Sequence, residues 1–92
     1  MADVTNNRAE SRFELAAEGG TAIAAYRLSD GRIVFTHTEV PEALEGQGIG
    51  SALVKGALDE VRQEGLKVVP ACAFVRGYID KHEEYADLLQ AR

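Results

Sequence analysis

The segment Glu45-Gly46-Gln47-Gly48-Ile49-Gly50-Ser51 carries three alternating glycines directly ahead of a helical pattern. Every second position lacks a side chain, so several backbone N–H groups can turn toward one anion. Ile49, Leu53, Val54, Ala57, Leu58 and Val61 recur at spacings of three and four, which predicts an amphipathic helix over 49–64 with one apolar stripe. Gly65 stands where a glycine stops such a helix. A helix start has unpaired N–H groups and the positive end of the helix dipole, so this turn predicts a phosphate site. Two familiar phosphate loops are excluded. A dinucleotide fingerprint needs glycine at position 51, where Ser51 stands, and a Walker loop needs a lysine that Ile49-Gly50-Ser51 does not supply. A plain glycine-rich connection between a strand and a helix is the alternative that these residues also permit.

The rest of the chain frames that turn. Ser11 to Ala17 reads as a strand with Phe13 and Leu15 on one face, and Glu18-Gly19-Gly20 as a turn. Thr21 to Leu28 predicts a second strand, Ser29-Asp30-Gly31 a hairpin turn, and Arg32 to Val40 a third strand that Pro41 closes. After the helix, Lys67 to Cys72 predicts a short buried strand. Ala73 to His82 predicts a second helix with Phe74, Tyr78 and Ile79 inward, and Tyr85 to Leu89 a short helical end. The expected fold is α/β in the α+β sense: a three-strand antiparallel meander, a helix, a parallel fourth strand and a helix.

Ninety-two residues, 46% of them apolar, bound this to a single domain over 1–92 with one core. Met1 to Glu10 is polar and acidic, which predicts a frayed tail and no signal peptide. No apolar run approaches the roughly 18 residues that cross a bilayer. The net charge of −5 argues against nucleic acid or an anionic membrane as partner. A single cysteine excludes an intrachain disulfide, no Cys/His cluster has metal-ligand spacing, and the expected compartment is the cytoplasm.

Several segments carry a wider likeness: His37-Thr38-Glu39-Val40-Pro41 before the glycine turn, Val69-Pro70-Ala71-Cys72-Ala73-Phe74-Val75 after the helix, then Tyr78-Ile79-Asp80-Lys81-His82 and Glu84-Tyr85-Ala86-Asp87-Leu88. In order and spacing they resemble the smallest branch of the GNAT N-acetyltransferase superfamily, its stand-alone minimal domains. Two positions depart from the pattern: Glu45 stands where Arg or Gln is usual, and Glu83 where the small branch often has proline. The resemblance implies acetyl-coenzyme A as co-substrate, an amine as acceptor and no metal. It places the cofactor at Val40, Gly46, Gln47, Gly48, Ile49, Gly50 and Ser51, with the pantetheine arm in a gap between the third and fourth strands. It also implies a core lacking the closing elements of larger relatives, so the acceptor site should be open. A monomer is expected.

Four side chains are weighed for catalysis, of which Cys72, Tyr78 and His37 are the candidates. The resemblance makes Cys72, in its Pro-x-Cys context, the natural acetyl-accepting nucleophile; a small buried hydrophobe is the plain alternative. It makes Tyr78 the group that protonates departing coenzyme A thiolate; the alternative is a core aromatic. His37 and Glu39, two apart on a strand, share a face and can take a proton from an amine, and His37 can lie across the parallel strands from Cys72. A polar strand end near solvent is the bland account of that pair. His82 suits a helix end; Lys81 and Lys55 are of a type that contacts phosphates, but scattered surface lysines are usual and neither is taken as a site residue. The expected function is therefore acetyl transfer to an amine, directly or through a Cys72 thioester. The alternatives are a non-catalytic coenzyme-A-binding or protein-interaction module, and a Cys72–His37 thiol enzyme that uses no coenzyme A.

Overall fold

The computed structural model describes residues 4–89. Strands β1 (Thr5–Asn7), β2 (Arg12–Ala17), β3 (Gly20–Ser29) and β4 (Arg32–Glu39) form an antiparallel meander. A 3₁₀ turn (Glu42–Leu44) leads through the glycine segment into helix α1 (Ile49–Gln63). Strand β5 (Lys67–Pro70) then pairs parallel with β4, and helix α2 (Ala73–Lys81) and a 3₁₀ segment (Glu83–Leu88) complete the order. The sheet runs β1-β2-β3-β4-β5. The expected meander, helix, parallel strand and helix are all present, as is the α/β class.

Alternation in the strands explains why both helices lie on one face. Phe13, Leu15, Ala22, Ala24, Tyr26, Ile33 and Phe35 are all buried, each separated from the next on its strand by a residue that is not. They share one core with the apolar stripe of α1 and with Val75, Tyr78 and Ile79 of α2. The alanines at positions 22 and 24 leave room for α1 to approach β3. Emptying this core at Leu53 or Leu58, both at 0% exposure, should cost about 2–5 kcal/mol per leucine-to-alanine change. Among the described residues, the opposite sheet face, with Glu14, Ile23 and Ala25, has no covering layer of helices.

Three details differ from the sequence expectation. Residues 5–7 are an edge strand, not part of a frayed tail, and residues 1–3 lie outside the described ones. Asn6 lies opposite inward-facing Phe13, accepts a hydrogen bond from the Tyr26 hydroxyl at 2.6 Å and donates to Glu60 of α1 at 3.1 Å. Arg8 bonds Glu64 at the far end of the same helix at 2.7 Å. Polar side chains fix this strand, so hydrophobic patterning gives no sign of it. Second, β5 ends at Pro70, two residues before Cys72, because proline has no N–H to extend the ladder. Third, Phe74 is 43% exposed; Val75 takes the inward place beside Tyr78 and Ile79. No helix among the described residues is long and apolar enough to cross a membrane.

Candidate active site

The glycine segment opens α1 without any side-chain cap. Leu44, 1% exposed, anchors the preceding 3₁₀ turn in the interior. Gln47 closes that turn: its N–H reaches the Leu44 carbonyl at 3.4 Å and its side-chain amide donates to the Ala43 carbonyl at 3.1 Å. Gly48 then takes φ +76° as N-cap, a left-handed conformation that glycine adopts without a Cβ clash. The first helical bond is Ala52 N–H to the Gly48 carbonyl at 3.0 Å. Among the described residues, the N–H groups of Gly48, Ile49, Gly50 and Ser51 therefore have no backbone acceptor, and no acidic side chain occupies the first turn to neutralise them. A Cβ on Gly46 or Gly48 would meet nothing within 4 Å, so the space before these donors is open. The cavity there, about 310 Å³, is lined by Val40, Gly46, Gly48, Ile49, Gly50 and Ser51, all of them expected binding positions. Gln47, the seventh, is not among its lining residues, because its polar groups hold the turn together.

Gly50 has a different task from the other two glycines. It is helical, and a Cβ there would lie 2.6 Å from Phe74 Cζ and 3.2 Å from Val40 Cγ2. Its missing side chain is the seat of the Phe74 ring. Seated there, Phe74 becomes a wall of three adjoining cavities: the glycine-loop cavity, one of about 490 Å³ past the end of β4, and one of about 340 Å³ between α1 and α2. The helical pattern of residues 73–82 puts this ring in the core, and nothing in it marks Phe74 as a site residue. The signal was the glycine at position 50, which hides a tertiary close approach inside a run of local turn glycines.

Strands β4 and β5 part where Cys72 stands. Their pairing ends at Phe35 opposite Pro70, whereas β4 stays paired with β3 as far as Glu39 opposite Ile23. Beyond Phe35 the β5 side of β4 is thus unpaired, which is the expected gap. A bulge opens in the same stretch: Tyr26 pairs with Phe35 but Ala25 with His37, leaving Thr36 as the extra residue. The bulge resets the alternation. Thr38, paired with buried Ala24, now faces the helices, while His37 and Glu39, paired with Ala25 and Ile23, face the open side of the sheet.

This corrects the expected thiol–imidazole pair. Cys72 Sγ lies 3.2 Å from Thr38 Oγ1, and His37 Nε2 is 2.7 Å from Glu39 Oε2 with 56% of its side chain exposed. Cys72 is the N-cap of α2, with extended backbone at φ −93° and ψ 131°. Burial disfavours its thiolate, but the Thr38 hydroxyl and the N–H groups of Val75 and Phe74 outweigh that, so the thiol titrates below its ordinary value.

Tyr78 lies elsewhere. It lines the α1–α2 cavity with Ser51, Lys81 and His82, and no hydrogen bond joins it to Cys72 or Thr38 among the described residues. Its ring stacks on His82 at 3.9 Å and 13°, and His82 Nδ1 is 2.8 Å from the Tyr78 carbonyl. Burial, opposed by Lys55, raises the phenol above its usual range, so it stays a hydrogen-bond donor at neutral pH.

A run of free backbone donors after one strand, a split between that strand and its parallel neighbour, and a thiol at the split form one arrangement. The sequence pattern of the GCN5-related N-acetyltransferases matches residues 12–88. The chain belongs to that family. Among similar sequences, Protein NATD1 of Mus musculus is 35% identical over 95% of this chain and 84% of its own length, and Protein NATD1 of Homo sapiens is 35% identical over 95% and 81%. Among solved structures, that of a GCN5-like protein from Staphylococcus aureus superimposes with a TM-score of 0.74 at 27% identity, covering 98% of this chain and 89% of its own. The family generally uses acetyl-coenzyme A, and the glycine cradle is chemically suited to that pyrophosphate.

Proposed function

We propose that this GCN5-related domain binds acetyl-coenzyme A and transfers the acetyl group to an amine through Cys72. The pyrophosphate meets the free N–H groups of Gly48 to Ser51, and the pantetheine arm lies in the opening beyond Phe35 and Pro70. The thiolate of Cys72 attacks the thioester carbonyl. A Cys72 thioester forms, the coenzyme A sulfur leaves, and it takes up the proton that Cys72 released. The amine then attacks the Cys72 thioester, expels the thiolate and loses its own proton, restoring the free thiol. The observation that carries this reading is the Cys72 Sγ at 3.2 Å from Thr38 Oγ1, placed at the point where the parallel pairing stops.

The acceptor cavity suggests a cationic amine. The space of about 490 Å³ beside Thr38 is lined by Glu39 and Glu45, with Val40, Pro41 and Phe74 as apolar wall. Glu45, which departs from the family pattern, thus has a use next to the acceptor. His37 holds Glu39 from the open face, and we assign it no step of its own. The absence of a side-chain base on the thiol among the described residues favours a second reading, in which coenzyme A binds and Cys72 does no chemistry.

Steady-state release of coenzyme A with a panel of amines separates the two. In the first reading Cys72→Ala lowers release by orders of magnitude while coenzyme A still binds and the melting temperature changes little, since losing one sulfur atom costs about 1 kcal/mol. Full activity of that variant leaves only direct transfer. No turnover by either protein, with binding intact, supports the non-catalytic module.

A further inference from the structure

Tyr78 has no task in the proposed reaction, yet its environment is specific. The hydroxyls of Tyr26 and Tyr85 donate to Asn6 and Asp59, each at 2.6 Å. Tyr78 is only 8% exposed, and its hydroxyl makes no hydrogen bond among the described residues. Nor is that oxygen sealed in the interior, where no unpartnered polar side-chain atom is found among the described residues. Its outlet is the cavity of about 340 Å³ between α1 and α2.

Two further side chains around this cavity are donors. Ser51 brings a hydroxyl at the start of α1. Lys81 brings an ammonium that has no ion pair among the described residues, whereas Lys55 nearby is held by Asp59 at 2.9 Å. Nδ1 of His82 donates to the Tyr78 carbonyl, so Nε2 of the neutral ring is an acceptor and does not count among these donors. A set of donors without a carboxylate in the lining fits a phosphate rather than a base or a cation.

The order of the cavities says which phosphate. The cavity beside Thr38 adjoins the glycine-loop cavity through Val40, Glu45 and Phe74, and the glycine-loop cavity adjoins this one through Ser51 and Phe74. Coenzyme A is linear: thioester, pantetheine, pyrophosphate, then a ribose that carries a 3′-phosphate. With the thioester near Thr38 and Cys72 and the pyrophosphate at the glycines, the ribose falls beyond Ser51. We propose that Ser51, Tyr78 and Lys81 form a second phosphate subsite that takes the 3′-phosphate of coenzyme A. This rests on the coenzyme A reading above and assigns Tyr78 to binding, not to protonation of the leaving thiolate.

Calorimetric titration with coenzyme A and with 3′-dephospho-coenzyme A tests it. The wild-type protein should prefer coenzyme A by on the order of tenfold, the scale of a charge-assisted phosphate contact. Lys81→Gln, at an exposed position, and Tyr78→Phe, which removes only the free hydroxyl, should each shrink that preference and leave the affinity for the dephospho form unchanged. Equal affinity of the wild type for both ligands overturns the subsite and leaves the coenzyme A reading standing. A preference undiminished in both variants does the same. Binding of neither ligand overturns the coenzyme A reading and the subsite with it.

Discussion

The two helices of this domain begin in opposite ways. Helix α1 starts at Gly48 in left-handed backbone, with no side-chain cap, no acidic residue in its first turn and open space in front. Helix α2 starts at Cys72 in extended backbone, with a thiol lying half-buried against Thr38. One helix start offers bare backbone donors to something outside the protein. The other spends its field on a side chain of its own and holds that thiol below its ordinary pKa, against the burial that opposes it. In the proposed reaction the same dipole physics serves binding at one helix and tuning of the nucleophile at the other.

The largest expected effect breaks the first half of that contrast. Gly48→Val forces a β-branched residue into φ +76°, a strain of about 1–3 kcal/mol that a melting curve reads, and it fills the space before the free N–H groups. Coenzyme A affinity, read by titration of the folded variant, should fall about a hundredfold or more, as several charge-assisted bonds are lost. Gly50→Ala comes next. Its Cβ collides with the Phe74 ring, so stability should drop by about 1–3 kcal/mol, and adding Phe74→Ala should return part of it. If Gly50→Ala costs the same with and without Phe74, the close approach is not the reason for glycine there.

A smaller effect sharpens the second half. Thr38→Val removes the hydroxyl from Cys72, so the pH midpoint of thiol alkylation should move up; Thr38→Ser should keep it low. The sign for stability follows. A depressed thiol pKa stabilises the native state fully at pH above the unfolded thiol's value, and that gain is lost as pH falls through the native value. The melting difference between wild type and Thr38→Val should therefore widen with rising pH. The smallest effect lies far from both helix starts: Asn6→Ala should cost about 1 kcal/mol by releasing the Tyr26 hydroxyl, with no change in ligand affinity.

What could be read from the sequence follows the same divide. The glycine cradle, the apolar stripe of α1 and the hairpins are set by local backbone and periodicity, and these were legible with their positions. Cys72 at the strand gap was legible through family likeness. The rest depends on tertiary choices. One extra residue at Thr36 turns His37 outward and Thr38 inward, and nothing in Phe35-Thr36-His37-Thr38 marks a bulge. The strand Thr5–Asn7 has no apolar alternation, because its side chains reach α1 and Tyr26 by hydrogen bonds. Phe74 looks like a core residue by type, and only the seat at Gly50 keeps it at the surface.

Whether α2 begins at a nucleophile is decided most directly by intact mass. The protein is incubated with acetyl-coenzyme A and no amine, quenched in acid, and weighed, with fragment masses locating any gain. The account predicts one added acetyl group, on Cys72, removed when an amine is supplied and absent from Cys72→Ala. An unmodified wild-type protein that nevertheless acetylates amines would contradict it.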